Sequence, residues 1–215
     1  MVMTDETKIT LSDKEHELVC NTNWFLTKHS IIKKVIAIFG ELIILMQQML
    51  AKDKDHLPKE VFTKEAKISK GENYQLLPYV ILDYPRYFSL TEAIAVRTMF
   101  WWGNFFSVTL QLSGAPKEAV IPALIANFSK LRQNDYWICV HDSEWQYHFE
   151  EDNYILLATL SSDAFEEILY GKPFIKIARK ISLQHWNTVT LFVEQTFEEL
   201  IKLLNVNYLS DEKDL

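Results

Sequence analysis

From Ser30 to Lys52 the chain reads "SIIKKVIAIFGELIILMQQMLAK", and no other segment limits the fold as strongly. Ile31, Val35, Ile38, Leu42, Leu45 and Met49 recur at alternating spacings of four and three. Ile32, Ile36, Phe39, Ile43, Met46 and Leu50 repeat that pattern one position on. Two adjacent stripes on one helix form an apolar face too wide for a single neighbouring element. Either the domain covers both stripes, or one packs on a second subunit, which makes a homodimer through the helix 31–50 an expectation. The stretch "VIAIFGELIILM" is interrupted by Gly40 and Glu41 and falls short of the roughly 20 residues needed to cross a bilayer, so no membrane partner is expected.

The 215 residues are 48% hydrophobic and 24% charged, enough for one α+β domain over 1–215 with a helical part at about 11–52 and a mixed part at about 76–205. A formal charge of -7 opposes a general role on phosphate backbones, so no nucleic-acid partner is expected. Cys20 and Cys139 stand far apart and in no metal-binding spacing; they read as buried free thiols of a reducing compartment. The acidic start "MVMTDETKITLSDKEHE" has no apolar run to serve as a targeting signal, and a soluble, cytoplasmic location is expected.

Ser12 and Glu15 have capping-box spacing for a short helix over 11–20. Residues 51–75 are polar and lysine-rich and read as a connection. "LPYVILDY" reads as a buried strand ended by Tyr84-Pro85, and Ser89 with Glu92 suggests a short helix over about 90–95. Residues 96–102 fit either a continuing helix capped by Gly103 or a strand. A hairpin over about 96–112 is preferred, because "FFSVTLQL" alternates and the aromatic run suits a strand. With Gly103-Asn104 as a two-residue turn, Trp102 pairs with Phe105 and Trp101 with Phe106. That places Trp101 with Phe106 and Val108 on a core face, and Trp102 with Phe105 on the other. Residues 117–132 read as a helix whose regular part starts near 120 because of Pro122. A second hairpin over about 136–149, turning at "DSEW", sets Tyr136, Ile138, Val140, Trp145, Tyr147 and Phe149 against Trp137, Cys139, His141, Gln146, His148 and Glu150. Residues 154–160 suggest a strand, 163–170 a helix stopped at Gly171, and 184–204 an amphipathic helix, while 174–183 fits strand and helix periods almost equally and leans to strand.

No phosphate-cradling loop, nucleophile elbow or H-E-x-x-H motif is present. Three weaker constellations remain. Asp83 and Arg86 in "DYPRYF", with Arg97, Trp102 and Phe105, bring a carboxylate and two guanidiniums to an aromatic cluster. They form either a satisfied core-margin ion pair or a site for an anionic, partly apolar small molecule. His141 and His148 on one hairpin face, with Glu144 or Glu150, are candidate metal ligands, and His141 with Asp142 and Glu144 could do acid–base work. "KPFIKIARK" carries Lys172, Lys176, Arg179 and Lys180, which read as a solvated face.

The segments Gly71-Glu72-Asn73-Tyr74, Leu82-Asp83-Tyr84-Pro85 and Phe100-Trp101-Trp102-Gly103 resemble a pattern of an uncharacterised bacterial protein family, a resemblance that implies no activity. The residues themselves favour a ligand- or partner-binding protein. The alternative is a metal-dependent, hydrolase-type enzyme using His141 and His148; the sequence does not identify a cofactor.

Overall fold

A computed structural model describes residues 9–205; the first eight residues of the acidic N-terminal segment lie outside the described residues. Two helices open the chain, α1 (Asp13–Cys20) and α2 (Thr22–Lys52). Ser12 caps α1 as its spacing predicts, accepting from the Glu15 N–H while the Glu15 carboxylate accepts from the Ser12 N–H. Four strands follow as a meander, β1 (Lys67–Tyr74), β2 (Leu77–Phe88), β3 (Ala93–Trp101) and β4 (Phe105–Ser113). Then come α3 (Ala115–Ala126), α4 (Phe128–Gln133), β5 (Trp137–Cys139), β6 (Tyr154–Leu156), α5 (Ser162–Gly171), β7 (Phe174–Ser182) and α6 (Val189–Leu203). All seven strands join one antiparallel sheet in the order β1-β2-β3-β4-β7-β5-β6. The fold is α+β, with α1 and α2 before the sheet strands and α6 after them.

One sheet face packs on the helices. Alternation delivers Val80 and Leu82 from β2, Ile94, Val96 and Phe100 from β3, Phe106, Val108 and Leu110 from β4, and Ile175 and Ile177 from β7 to this side. They meet Ile32, Val35, Phe39, Leu42, Met46 and Leu50 of α2 and Val193, Phe197 and Leu200 of α6. The fully buried line along α2 takes members of both sequence stripes, and the remaining stripe residues are half-buried against the same core. The domain therefore covers most of the width that those stripes present.

Several local expectations are corrected. β3 and β4 do form a hairpin, but its closing pair is Trp101 with Phe105, and Phe100 faces Phe106. The loop has three residues, because Gly103 adopts φ 75° and the Asn104 N–H reaches back to the Trp101 carbonyl. That one-residue shift carries β4 to the opposite face relative to β3. Trp101 and Phe105 thus lie together, ring centroids 5.4 Å apart, while Trp102 packs on Phe100 on the helix side.

β2 does not end at Pro85. Its register against β3 shifts between Asp83 and Arg86, so Tyr84 and Pro85 sit in a bulge where proline's missing N–H takes no ladder bond from β3. The Ser89–Glu92 capping pattern makes a turn rather than a helix: the Ser89 hydroxyl accepts from the N–H groups of Thr91 and Glu92 and joins β2 to β3. Pro122 lies well inside α3, tolerated because it and Glu118, whose carbonyl loses its helical donor, face solvent. No hairpin turns at 142–145, since β5 pairs with β6 and the intervening 140–153 forms a loop. Cys139 is buried as expected, but Cys20 is exposed at the end of α1, a helix that buries nothing.

Trp101 is buried and donates its indole N–H to the Tyr74 carbonyl at 3.2 Å, whereas Trp102 is half-exposed. Trp101→Ala is expected to lower stability by about 3–5 kcal/mol and Trp102→Ala by clearly less, measured by urea unfolding.

Candidate functional site

Among the described residues the second sheet face has no helix on it. It carries Ile81, Met99, Trp101, Phe105, Phe174 and Ala178 beside the polar groups Asp83, Arg97, Ser107, Thr109, Gln111 and Lys176, nearly all of them buried. Residues 140–153, the loop between β5 and β6, cover this face as a strap and insert Tyr147 and Phe149 into it. The strap closes on itself where the Val140 N–H donates to the Asn153 carbonyl, and the Asn153 side chain, wholly buried, donates to the His148 carbonyl at 2.6 Å. Its far side is tied to β1, because the Tyr74 hydroxyl accepts from the N–H groups of Tyr147 (2.7 Å) and His148 (3.1 Å).

Beneath the strap each charged group has a hydrogen-bond partner. Arg97 donates bidentately to Asp83 at 2.6 and 2.8 Å, and its remaining terminal nitrogen donates to the Tyr147 hydroxyl. Burial pushes the Tyr147 phenol up to about 12, so it stays a protonated acceptor for the guanidinium. Lys176, fully buried, donates to the Gln146 carbonyl and lies 4.5 Å from the Tyr147 ring centroid. The Gln111 amide donates to the Glu144 carboxylate at 2.8 Å. Burial pushes the Lys176 ammonium down to about 8.

Of the five expected ligand residues, Asp83, Arg97 and Phe105 share this face, but the guanidinium of Arg97 is occupied by protein partners. Arg86 shares the face and donates to the Glu65 carbonyl at 2.7 Å; it stands opposite Ala95, about 20 Å along β3 from Trp101 at 3.3 Å per residue. Trp102 points to the other side, so an edge joining Arg86, Trp102 and Phe105 does not form. His141 and His148 are likewise not brought together: His141 Nδ1 accepts from the Ser143 N–H, whereas His148 groups with Glu150 and Asp152. Tyr74 has both lone pairs engaged by N–H donors, so its own proton goes to His148 Nδ1 at 3.1 Å or to Gln146 at 3.4 Å. Nδ1 as acceptor leaves the hydrogen on Nε2, facing Asp152 at 3.2 Å. A cation on Nε2 would have to move that proton, and in this geometry the cluster fastens the end of the strap. The basic run is not the solvated face expected: strand alternation carries Lys176 under the strap with Phe174 and Ala178, and Arg179 pairs with Glu199 between the Tyr136 and Phe192 rings.

At the 142–145 end of the strap the cover stops short and leaves an open groove of about 690 Å³. One wall is the β2–β3 turn with Phe88, Ser89 and Glu92; the other is Asp142, Ser143, Glu144 and Trp145. Ser113 and Phe174 contribute from the ends of β4 and β7. Phe88 and Trp145 bring the two walls into ring contact, centroids 6.4 Å apart and tilted 37°, and both are exposed. The lining holds three carboxylates and no cationic side chain. Lys172, just outside it, donates to Asp142 and holds that carboxyl below its ordinary value. Nothing in the sequence marks Phe88 and Glu92 as a site, since Phe88 ends β2 and Glu92 lies in a turn whose capping pattern suggests a helix. Trp145 was assigned to a hairpin face.

Lys176 titrates below its unfolded range, so between about pH 8 and 10.5 the unfolded chain binds the additional proton. Its contribution to stability therefore rises with pH across that window. Lys176→Met is expected to raise stability by about 1–3 kcal/mol at pH 7, with the gain fading as pH approaches 10.5. Parallel denaturant titrations of the two proteins check this, and a gain independent of pH would contradict it.

Comparison of the chain with protein-family models, with curated proteins and with solved structures finds no match.

Proposed function

We propose that this is a cytoplasmic small-molecule-binding protein whose site is the groove between the β2–β3 turn and the 142–145 end of the strap. The observation that carries the reading is the groove's lining: an exposed aromatic pair, Phe88 and Trp145, beside Glu92, Asp142 and Glu144 in a space of about 690 Å³. That volume falls within the roughly 300–1,000 Å³ of ordinary ligand pockets. Two aromatic faces with nearby carboxylates suit a cationic ligand with an apolar body. The rings attract the cation and cover the apolar part, while the carboxylates take the ammonium hydrogens. Among the described residues no hydrogen bond or ion pair engages the Glu92 carboxylate, which leaves it free for such a donor. The ligand charge favoured here is opposite to the anion suggested by Arg86 and Arg97, because Arg97 already holds Asp83.

Hydroxyls from Ser89, Thr91, Ser113 and Ser143 add acceptors and donors around the same space. No residue of the lining forms a nucleophile–base pair, and the proposed role is binding. A thermal-shift panel of aryl-alkyl amines and matched carboxylates is expected to yield stabilisation by amines alone. Trp145→Ala and Glu92→Gln should each weaken the best amine by about ten-fold in calorimetric titration while leaving the unliganded melting temperature nearly unchanged. Stabilisation by the carboxylates, or amine binding indifferent to both substitutions, would sink the assignment.

A further inference from the structure

α1 contributes no buried residue, and α2 runs about 15 Å before its first one, Ile32. Between Thr22 and Ser30 only Lys28 is even half-buried, where it pairs with Glu72 of β1. This arm is nevertheless apolar. Leu18, Val19, Trp24 and Phe25 line a groove of about 480 Å³ between the two helices, and each is about half exposed or more. Leu26, Leu11 and Ile9 are exposed as well. With each aromatic exposing about half of its roughly 150–250 Å² and the five aliphatics supplying the rest, the exposed apolar surface of the arm is on the order of 700 Å². That much apolar surface gathered on one short helical segment, four of its side chains around a single groove, marks an interaction surface.

We propose that the arm is the interface of a homodimer in which two copies pack their arms antiparallel about a two-fold axis. Two observations select a second copy as the occupant. The exposed apolar area is close to the roughly 800 Å² that each partner contributes to a standard interface. The charges along the arm are also self-complementary. Its outer part carries Asp13, Glu15 and Glu17 against the single Lys14, and its root carries exposed Lys33 and Lys34. An antiparallel pairing sets the acidic outer part of each arm on the basic root of the other, twice over by symmetry, whereas a parallel pairing stacks like charges. An anionic membrane surface would be repelled by the acidic outer part. The dimer surface is thus the solvent-facing start of α2 together with α1, above the 31–50 segment whose stripes the domain already covers. The inference is independent of the groove proposed for ligands.

The test uses the full chain in light scattering coupled to size exclusion and in sedimentation equilibrium. At micromolar concentration the wild type is expected at twice the chain mass. Val19→Glu and Phe25→Glu should be monomeric with unchanged circular dichroism and melting behaviour, because neither side chain is part of the core. Reversing Lys33 and Lys34 to Glu should weaken the dimer on the order of ten-fold. Adding Asp13→Lys and Glu17→Lys in the same chain should restore it, an outcome that mere misfolding could not produce. A wild-type protein that stays monomeric overturns the proposal, as does a dimer indifferent to Val19→Glu and Phe25→Glu. So does a monomer that binds vesicles containing phosphatidylserine.

Discussion

The Tyr74 hydroxyl holds the strap onto the sheet, and the arrangement of the second face depends on it. The sheet is lined by side chains on both faces but has helices on one only, so the other must be closed by irregular chain. A loop laid on an apolar sheet brings backbone N–H groups that require acceptors. Tyr74 supplies one for two successive N–H groups, of Tyr147 and His148, and Asn153 ties the strap at its other side. With those bonds in place, the Tyr147 ring lies over Arg97 and Lys176, and the Phe149 ring stacks on Tyr154 with centroids 4.5 Å apart. Without them these charges would be open to water.

The charges below the strap are better read as devices of specificity than of stability. Asp83 and Arg97 are directly opposite on β2 and β3, so their bidentate pair is compatible with only one register of that strand pair. A one-residue slip would send Arg97 into the helix-side core and turn Val96 and Phe100 out of it. The desolvation cost of such a pair can equal its Coulombic gain, and its benefit lies in excluding the slipped alternatives. Lys176 is a different case: its ammonium meets ring faces and a carbonyl, not a carboxylate, and its depressed pKa expresses the cost.

What the sequence made legible follows from which forces act locally. The α+β class, the capping box of α1, the long periodic helix and the alternation of β4 come from periods and side-chain chemistry that neighbours decide, whereas β3 and β7 fit a helix by period as well as a strand. The register of the Trp101–Phe105 hairpin was not legible, because it depends on whether Gly103 serves a two- or a three-residue loop. Strand β1 was read as connection because an edge strand exposed to water, "KISKGENY", carries the charge of a loop. The strap was read as a hairpin because Tyr147 and Phe149 alternate as a strand does, although the partner they face is the sheet below rather than a neighbouring strand. The candidate groove was invisible for a related reason: its two walls are 50 residues apart and meet only when the strap crosses the sheet.

The groove's wall is fixed by Gly114 as firmly as by the aromatic residues. Gly114 stands at φ 65° before α3, and a β-carbon there would lie 2.4 Å from the Thr91 carbonyl oxygen, inside van der Waals contact. The turn carrying Glu92 can therefore press against the start of α3 only because that position has no side chain. The Ser89 hydroxyl fastens the same turn from within by accepting from Thr91 and Glu92. On the opposite wall, the Ser143 N–H donates to His141, the Trp145 N–H to the Ser143 hydroxyl, and Glu144 is held by Gln111 of β4. Both walls are thus short turns braced by side chains rather than free loops, and their separation is set by the sheet beneath. A space held open in this way asks little reorganisation of a ligand that fits it, which is the physical requirement for selective binding by a shallow groove.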